Sequence, residues 1–299
     1  MAAEPISAVS PIAALSPQLR QRERRTRLTG LVLMSPALLL VALFLFLPLV
    51  FILQMSFTEG HSFLSPAGAT YTLQNYVVMA GRYLPNLLIT IELAALAMVV
   101  DLIFGVPFAY ILVRKVRYRG VVRAFMVFPM FGALYIAFGL GFLVLPGGPL
   151  APLLAALGIS GVSALYGTPS TVFAMAIFTF PFMVMNVGTA LSNVDPKLEE
   201  AAACLGARPW QTYTRILIPL TRGGILAGML MVFGWNLGAF AEPLLLGGLN
   251  EQRTLALTIY QRGVVQSDYG LSSAMSIVLL VLAVVVSYVS LRYSRNALV

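Results

Sequence analysis

Between Ala124 and Val194 the chain carries no Lys, Arg, Asp or Glu. Soluble domains draw about 25% of their residues from those four types, because a surface in water must be covered with charge. In this 299-residue chain the charged share is 10% and the hydrophobic share 59%, so lipid must supply much of the solvent. An apolar core about 30 Å thick is crossed by ~20 helical residues, and the uncharged run is too long for one crossing. Two breakers divide it, LPGGP at Leu145–Pro149 and GTP at Gly167–Pro169. They predict spans near Ala124–Leu145 and Thr171–Leu191.

Four more spans come from the same reading. Leu28–Thr58 holds Pro36 and Pro48 as expected bends, and Leu84–Val113 carries Glu92 and Asp101 inside it. Gly223–Leu246 and Leu271–Tyr293 complete an all-α, polytopic membrane protein of six transmembrane helices. The first run follows basic residues, as a signal peptide would. Its apolar stretch is about twice the length of a signal core and no small-residue cleavage site follows, so it is read as a retained span. Residues 1–19 are rich in Ala, Pro and Ser and are expected to lack order. The single cysteine, Cys204, excludes a disulfide within the chain.

Basic residues set the orientation. Six spans leave alternating segments. One set (the N-terminus, Arg114–Arg123, Asn193–Arg222 and the C-terminus) holds 16 of the 19 Lys and Arg. The other holds Arg82, Arg253 and Arg262 alone. Both termini are therefore expected in the cytoplasm. The net charge of +8 is a topology signal and a contact for lipid headgroups, and its placement does not describe a nucleic-acid footprint.

The fourth connection, DPKLEEAAACLGARPWQTYTRILIPL, has the most structure written into it. Asp195 suits an N-cap with Pro196 at the first helical position, and Glu199 and Glu200 fall in the first turn, where the helix dipole favours acid. Leu198, Ala201, Ala202 and Leu205 recur at i, i+3, i+4 and i+7, an apolar stripe. Gly206 is placed for a left-handed helix end, and a second helix is expected from Pro209 with Trp210, Tyr213, Thr214 and Leu217 at helical spacing. Cys204 beside the stripe reads as a small packing residue. Trp210 suits either the membrane surface or a protein partner.

Glu200-Ala201-Ala202, three residues, Gly206, nine residues, then Ile216, Ile218 and Pro219 resembles the EAA motif of type I ABC importer permeases. The one departure is Ile218, where leucine is usual. The resemblance implies a coupling loop at 193–222 that docks on a separate ATPase. Glu200 would be its charged contact, Ala201 and Ala202 would permit close approach, and Gly206 would set the bend, with Ile216 and Pro219 completing the element. It implies a permease core at 84–293, preceded by a basic cytoplasmic tail (1–27) and an extra helix with its outer loop (28–83), and followed by a short cytoplasmic tail (294–299). It also implies partners: a pair of cytoplasmic ATPase subunits, a second permease (identical or homologous), an extracytoplasmic solute-binding protein and surrounding lipid. Neither a cofactor nor covalent chemistry is implied. LGAFAEPLLLGG (Leu237–Gly248) and YTLQNYVVM (Tyr71–Met79) are similar to segments of spermidine/putrescine-type permeases, though opine, aminobutyrate, phosphonate, iron and thiamine permeases carry similar ones.

The remaining chemistry-bearing residues are few. The only lysines, Lys115 and Lys197, follow Arg114 and Pro196, so no Gly-Lys-Ser/Thr phosphate loop exists and ATP must be hydrolysed by another chain. His61, the sole histidine, reads as a solvated outer-loop residue and leaves no histidine-based metal cluster. Pro152–Ile159 reads as a short interfacial helix. The acids Glu92, Asp101 and Glu242 lie at or near membrane depth, where each costs about 2.5–3.5 kcal/mol at mid-span and needs a partner or a wet cavity. Glu92 and Asp101, nine residues apart, fall about 180° apart on a straight helix, so both cannot line one pore. Glu242 lies about 29 Å beyond Gly223 in helix rise, near the outer mouth, and Pro243 behind it frees the carbonyl of Ala239. Asp101 and Glu242 together would offer a cationic solute, such as a polyamine or related small organic solute, a deep site and an entrance. The alternative for the whole chain is an ion-gradient-driven secondary transporter, which should show inverted repeats and leaves the 193–222 loop unexplained.

Overall fold

A computed structural model describes residues 17–58, 70–158, 165–247 and 253–296. Residues 1–16, His61, Ile159 and Gly248 lie outside the described residues. Among the described residues the regular elements are helical, apart from one isolated antiparallel bridge between Thr58 and Tyr71. Chain contacts divide the molecule at Gln54/Met55. Helix α1 (Pro17–Ser56) supplies, up to Gln54, the described part of the first unit, with Pro36 and Pro48 inside it and Pro17 at its first position, where its missing N–H has no partner to lose.

The second unit is a helical bundle. Its elements are α2 (Gln74–Arg82), α3 (Leu84–Arg114), α4 (Arg119–Val127), α5 (Ala133–Val144), α6 (Ala151–Ala156), α7 (Thr168–Ser192) and α8 (Lys197–Cys204). They are followed by α9 (Pro209–Leu237), α10 (Ala241–Leu246), α11 (Leu255–Tyr260) and α12 (Tyr269–Asn296). Five helices, α1, α3, α7, α9 and α12, are long and apolar enough to cross a membrane, and the pair α4–α5 makes a sixth candidate bent by 91°.

The span expected near Ala124–Leu145 is this bent pair, and the sequence reading did not place a break inside it. Pro129 has no N–H to give to the Phe125 carbonyl, so α4 ends at Val127 and tightens into a 3-10 turn over Phe128–Phe131 before Gly132. The fifth span is corrected. It ends at Leu237 rather than Leu246, and the chain re-forms as the separate α10. Here Pro243 cannot donate to Ala239, and no helix runs through that pair. The Leu246 carbonyl then accepts from Gly167 N at 2.8 Å, fixing α10 to the start of α7.

The centre of the bundle is the packing of α3, α7 and α9. Between helices in lipid there is little hydrophobic drive, so close approach through small residues supplies the attraction. A Cβ at Gly105 would lie 2.7 Å from Met183 Cγ, and one at Gly228 would lie 2.8 Å from Met183 Sδ. Met183 therefore sits fully buried between the two glycines, beside Ala109 and Val232.

Two elements, α2 and α11, lie in segments the sequence reading treats as loop. In α11, Thr254 caps the helix by accepting from Leu257 N at 3.3 Å. Leu255 N donates to Thr90 Oγ1 at 2.8 Å and Asn86 Nδ2 to the Arg253 carbonyl at 2.8 Å, so α11 is tied to the N-terminal end of α3.

Candidate functional site

The fourth connection folds as the two-helix knob its residues predict. Asp195 Oδ1 accepts from Lys197 N at 2.9 Å and closes the first turn of α8. Gly206 stands at φ +82°, and Ala207 N reaches back to the Ala202 carbonyl at 3.0 Å, the six-to-one bond of a glycine-terminated helix. The chain then turns into α9, where Gln211 Oε1 accepts from Arg208 N at 2.8 Å. Pro219 cannot donate to the Arg215 carbonyl. The ladder over Tyr213–Leu217 shifts accordingly to a π turn, which carries Ile216 and leads into Ile218 and Pro219.

The stripe on α8 is not laid against its own bundle. Ala202 is buried, but Ala201 is exposed, Leu198 is 45% exposed and Leu205 89%. Cys204 is exposed as well, so the packing role expected of it is not made within the chain. Glu200 faces outward beside them, and Trp210 is 70% exposed with its ring 5.7 Å from that of Tyr213.

The sequence reading missed Glu199. Its Oε1 lies 2.7 Å from Arg114 Nε at the end of α3, a partner with no local spacing to announce it.

The three intramembrane acids go to three different places. Asp101 is fully buried on α3, and its Oδ2 accepts from Thr179 Oγ1 at 2.7 Å. Asn236 Nδ2 on α9 donates to that same Thr179 oxygen at 3.3 Å. Asp101 Oδ1 has no hydrogen-bond partner among the described residues, and the residue lines a cavity of about 430 Å³ walled by Phe104, Phe108, Phe125, Phe173 and Phe180. Glu92 is exposed while Asp101 is buried, as the half-turn between them requires. Glu242 is 3% exposed on α10, so the residue expected near the outer mouth as an acidic entrance is buried within this chain.

Two further features belong to the site. A larger cavity, about 900 Å³, lies between α7 and α9. Asn186 and Thr189 of α7 and Asn193 just beyond its end line it, and it runs down to Asp195 and Leu198 of the knob. Arg82, Arg253 and Arg262, the three basic residues of the sparser set, gather near Tyr83 and α11. Arg82 and Arg262 lie 6.0 and 5.4 Å from the Tyr83 ring, and Arg253 Nη1 donates to Gln261 at 2.9 Å. Among the described residues, no group of three or more His, Cys, Asp or Glu could hold a metal ion.

The family model for binding-protein-dependent transport system inner membrane components matches residues 9–297. The chain belongs to that family. It is thus a multi-pass inner-membrane permease and a transport subunit of ABC import, and the ion-gradient alternative falls. The chain is 31% identical over 215 residues to the spermidine/putrescine transport system permease protein PotB of Escherichia coli (strain K12), covering 70% of this permease and 77% of that one. It is 29% identical over 211 residues to the molybdenum transport system permease protein ModB of Mycobacterium tuberculosis (strain ATCC 25618 / H37Rv), covering 67% and 75%. Its fold is similar to that of a bacterial ABC transporter involved in the import of the acidic polysaccharide alginate, with a TM-score of 0.74 over 93% of this chain and 99% of that one. Sequence identity to the latter is 21%, a likeness of fold alone. The solutes these proteins are named for differ in charge, so family membership does not select one.

Proposed function

We propose that the permease couples to a separate ATPase through the 193–222 loop and forms half of a pathway completed by a second permease. The observation that carries the first part is the uncovered knob. Leu198, Leu205 and Trp210 present apolar surface outside the bundle, and Glu200 sets a charge beside them. Two short helices locked at Gly206 give that surface a fixed shape, which suits a groove on a protein partner. In this reading both termini and the knob are cytoplasmic. The α7–α9 cavity, polar along Asn186, Thr189 and Asn193, is this subunit's wall of the pathway and opens toward the knob. A binding protein delivers solute at the opposite face. Co-purification of the cognate ATPase with wild type, but not with Leu205→Glu or Glu200→Arg, tests the docking. Undiminished capture by both variants would reject it.

For the solute, the reading is a small organic cation of the polyamine kind. Asp101 supplies an oxygen with no partner among the described residues, and the phenylalanine walls beside it attract a cation through their ring faces. The 31% identity to a spermidine/putrescine permease points the same way. A second reading, an anionic solute, is favoured by Arg82, Arg253 and Arg262 at the outer end. Uptake of spermidine and of molybdate by the reconstituted complex with its binding protein separates the two. Saturable spermidine uptake supports the cation, and molybdate uptake alone overturns it.

A further inference from the structure

We propose that Arg114 and Glu199 form the pin through which the knob moves α3, and that both are positioning residues for coupling. This rests on the docking reading of the loop given above. Helix α8 spans Lys197–Cys204, far below the dozen or so residues at which an isolated helix holds itself together, and Ala202 is its one buried residue. Something besides packing must hold it to the bundle. Arg114 does so twice. Its Nε meets Glu199 Oε1 at 2.7 Å, and its Nη2 donates to the Val194 carbonyl at 2.8 Å, immediately before the Asp195 cap. One guanidinium thus grips both the approach to α8 and its first turn.

The surroundings make the pair more than a surface ion pair. The Arg114 and Glu199 side chains are 14% and 21% exposed, so water and salt screen them weakly. The Tyr110 ring, one helical turn before Arg114, packs edge-on to Tyr213 at 5.3 Å in the π turn that follows the knob. Val113, Leu191 and Leu217 close the seat beneath. Each charge also sits where a helix dipole favours it, the cation in the last turn of α3 and the acid in the first turn of α8.

Neighbouring acids therefore divide the work. Glu200, about 100° further round the helix, faces away from the bundle, while Glu199 faces into it. A displacement applied to α8 is passed by Glu199 to the end of α3. That helix runs unbroken from Leu84 to Arg114 and carries Asp101 about 20 Å from the pin. The ion pair thus joins the loop's movement to the helix that bears the buried carboxylate.

The test measures ATP hydrolysed per solute imported by the reconstituted complex, for Arg114→Glu, Glu199→Arg and the double exchange. The expected result is a roughly tenfold fall in import per ATP in each single variant, with the double exchange recovering most of it. Glu199→Gln keeps the side chain's shape and should show a smaller fall in the same ratio, which serves if a charge reversal prevents assembly. An unchanged ratio in Glu199→Gln and in every assembled reversal overturns the pin, as does a double exchange no better than the sum of its parts. Gly206→Val and Glu200→Arg are measured alongside. If they uncouple while the Arg114 and Glu199 variants do not, only the pin falls; if none uncouples, the docking reading falls with it.

Discussion

Thr179 Oγ1 donates to Asp101 Oδ2 at 2.7 Å, from the middle of α7 to the middle of α3. The same oxygen accepts from Asn236 on α9, so one hydroxyl joins the three helices at the centre of the bundle. The Met175 carbonyl lies 2.9 Å from that hydroxyl and competes for its single proton. A carboxylate is the stronger acceptor and prevails when ionised. Inside a bilayer such a pair is worth modestly more than nothing, because the unfolded chain in lipid also finds partners.

Thr179→Val tests the node. It removes the donor to Asp101 and the acceptor for Asn236 while keeping shape. The loss should be between about 0.5 and 2 kcal/mol, read as a lower midpoint of thermal unfolding in detergent. Asp101→Asn, which brings its own donors to the same place, should unfold near the wild-type midpoint. A Thr179→Val protein as stable as wild type would mean that the three-helix node contributes nothing.

Asp101→Asn also addresses the solute. Under the cation reading it removes the negative charge from the phenylalanine-walled cavity and leaves the fold in place. Spermidine uptake should show a raised KM or a lowered maximal rate, while expression and ATPase capture hold. Glu242→Gln should change uptake less, since Glu242 is buried on α10. Equal uptake by Asp101→Asn and wild type at every concentration would remove Asp101 from the pathway.

Gly206 gives a backbone test. At φ +82° with no heavy atom within 4 Å of the Cβ position, the site objects to the conformation and not to bulk. A β-branched residue there costs ~1–2 kcal/mol in the left-handed region, whereas asparagine enters that region readily. Gly206→Val should insert yet lose ATP-driven import, and Gly206→Asn should retain most of it. Equal import by the two would show that the left-handed bend is not what the loop needs.

How far the residues alone reveal this molecule varies with range. The knob was legible because Asp195, Pro196, Gly206 and Pro209 are local signals with local consequences. Span existence was legible because lipid leaves only uncharged helical runs as an option. Breaks inside spans were not. Pro129 ends α4, but Pro107 and Pro181 sit inside unbroken α3 and α7, where packing keeps the helix running through them. No spacing rule separates these cases. Helix α11 is too short for a periodic signal and owes its place to Thr90 and Asn86, more than 160 residues earlier in the chain. The Arg114–Glu199 pair is hidden for the same reason: both residues read as ordinary loop-side charges until α3 and α8 are brought together.

The α7–α9 contact yields a packing prediction. A Cβ at Gly224 would fall on that of Ala190 and lie 3.0 Å from the Asn186 carbonyl, whereas one at Gly234 on the same helix meets nothing within 4 Å. Gly224→Ala must push the helices apart and should cost ~1–3 kcal/mol. Gly234→Ala should be neutral or stabilising by up to about 1 kcal/mol, from helix propensity alone. Thermal unfolding of the two in the same detergent checks the contrast, and equal midpoints would contradict the close approach.

The last prediction concerns which way the bundle faces. The basic-residue bias places the knob in the cytoplasm and the α11 corner outside, and the structure puts Arg208 and Arg253 on those separate features, both exposed. Cys204 is exposed and must first be replaced by serine, or it will react on its own account. In that background, single cysteines at Arg208 and Arg253 are treated with a membrane-impermeant thiol reagent in intact cells and again after permeabilisation. Arg253→Cys should label in both conditions, because only the outer envelope stands before it. Arg208→Cys should label after permeabilisation alone. Both positions are exposed within the chain itself, and labelling of Arg208→Cys after permeabilisation shows that a docked partner does not cover it. Labelling of Arg208→Cys in intact cells would invert the topology. It would also put the knob on the wrong side for any cytoplasmic ATPase, and the coupling proposal would fall with it.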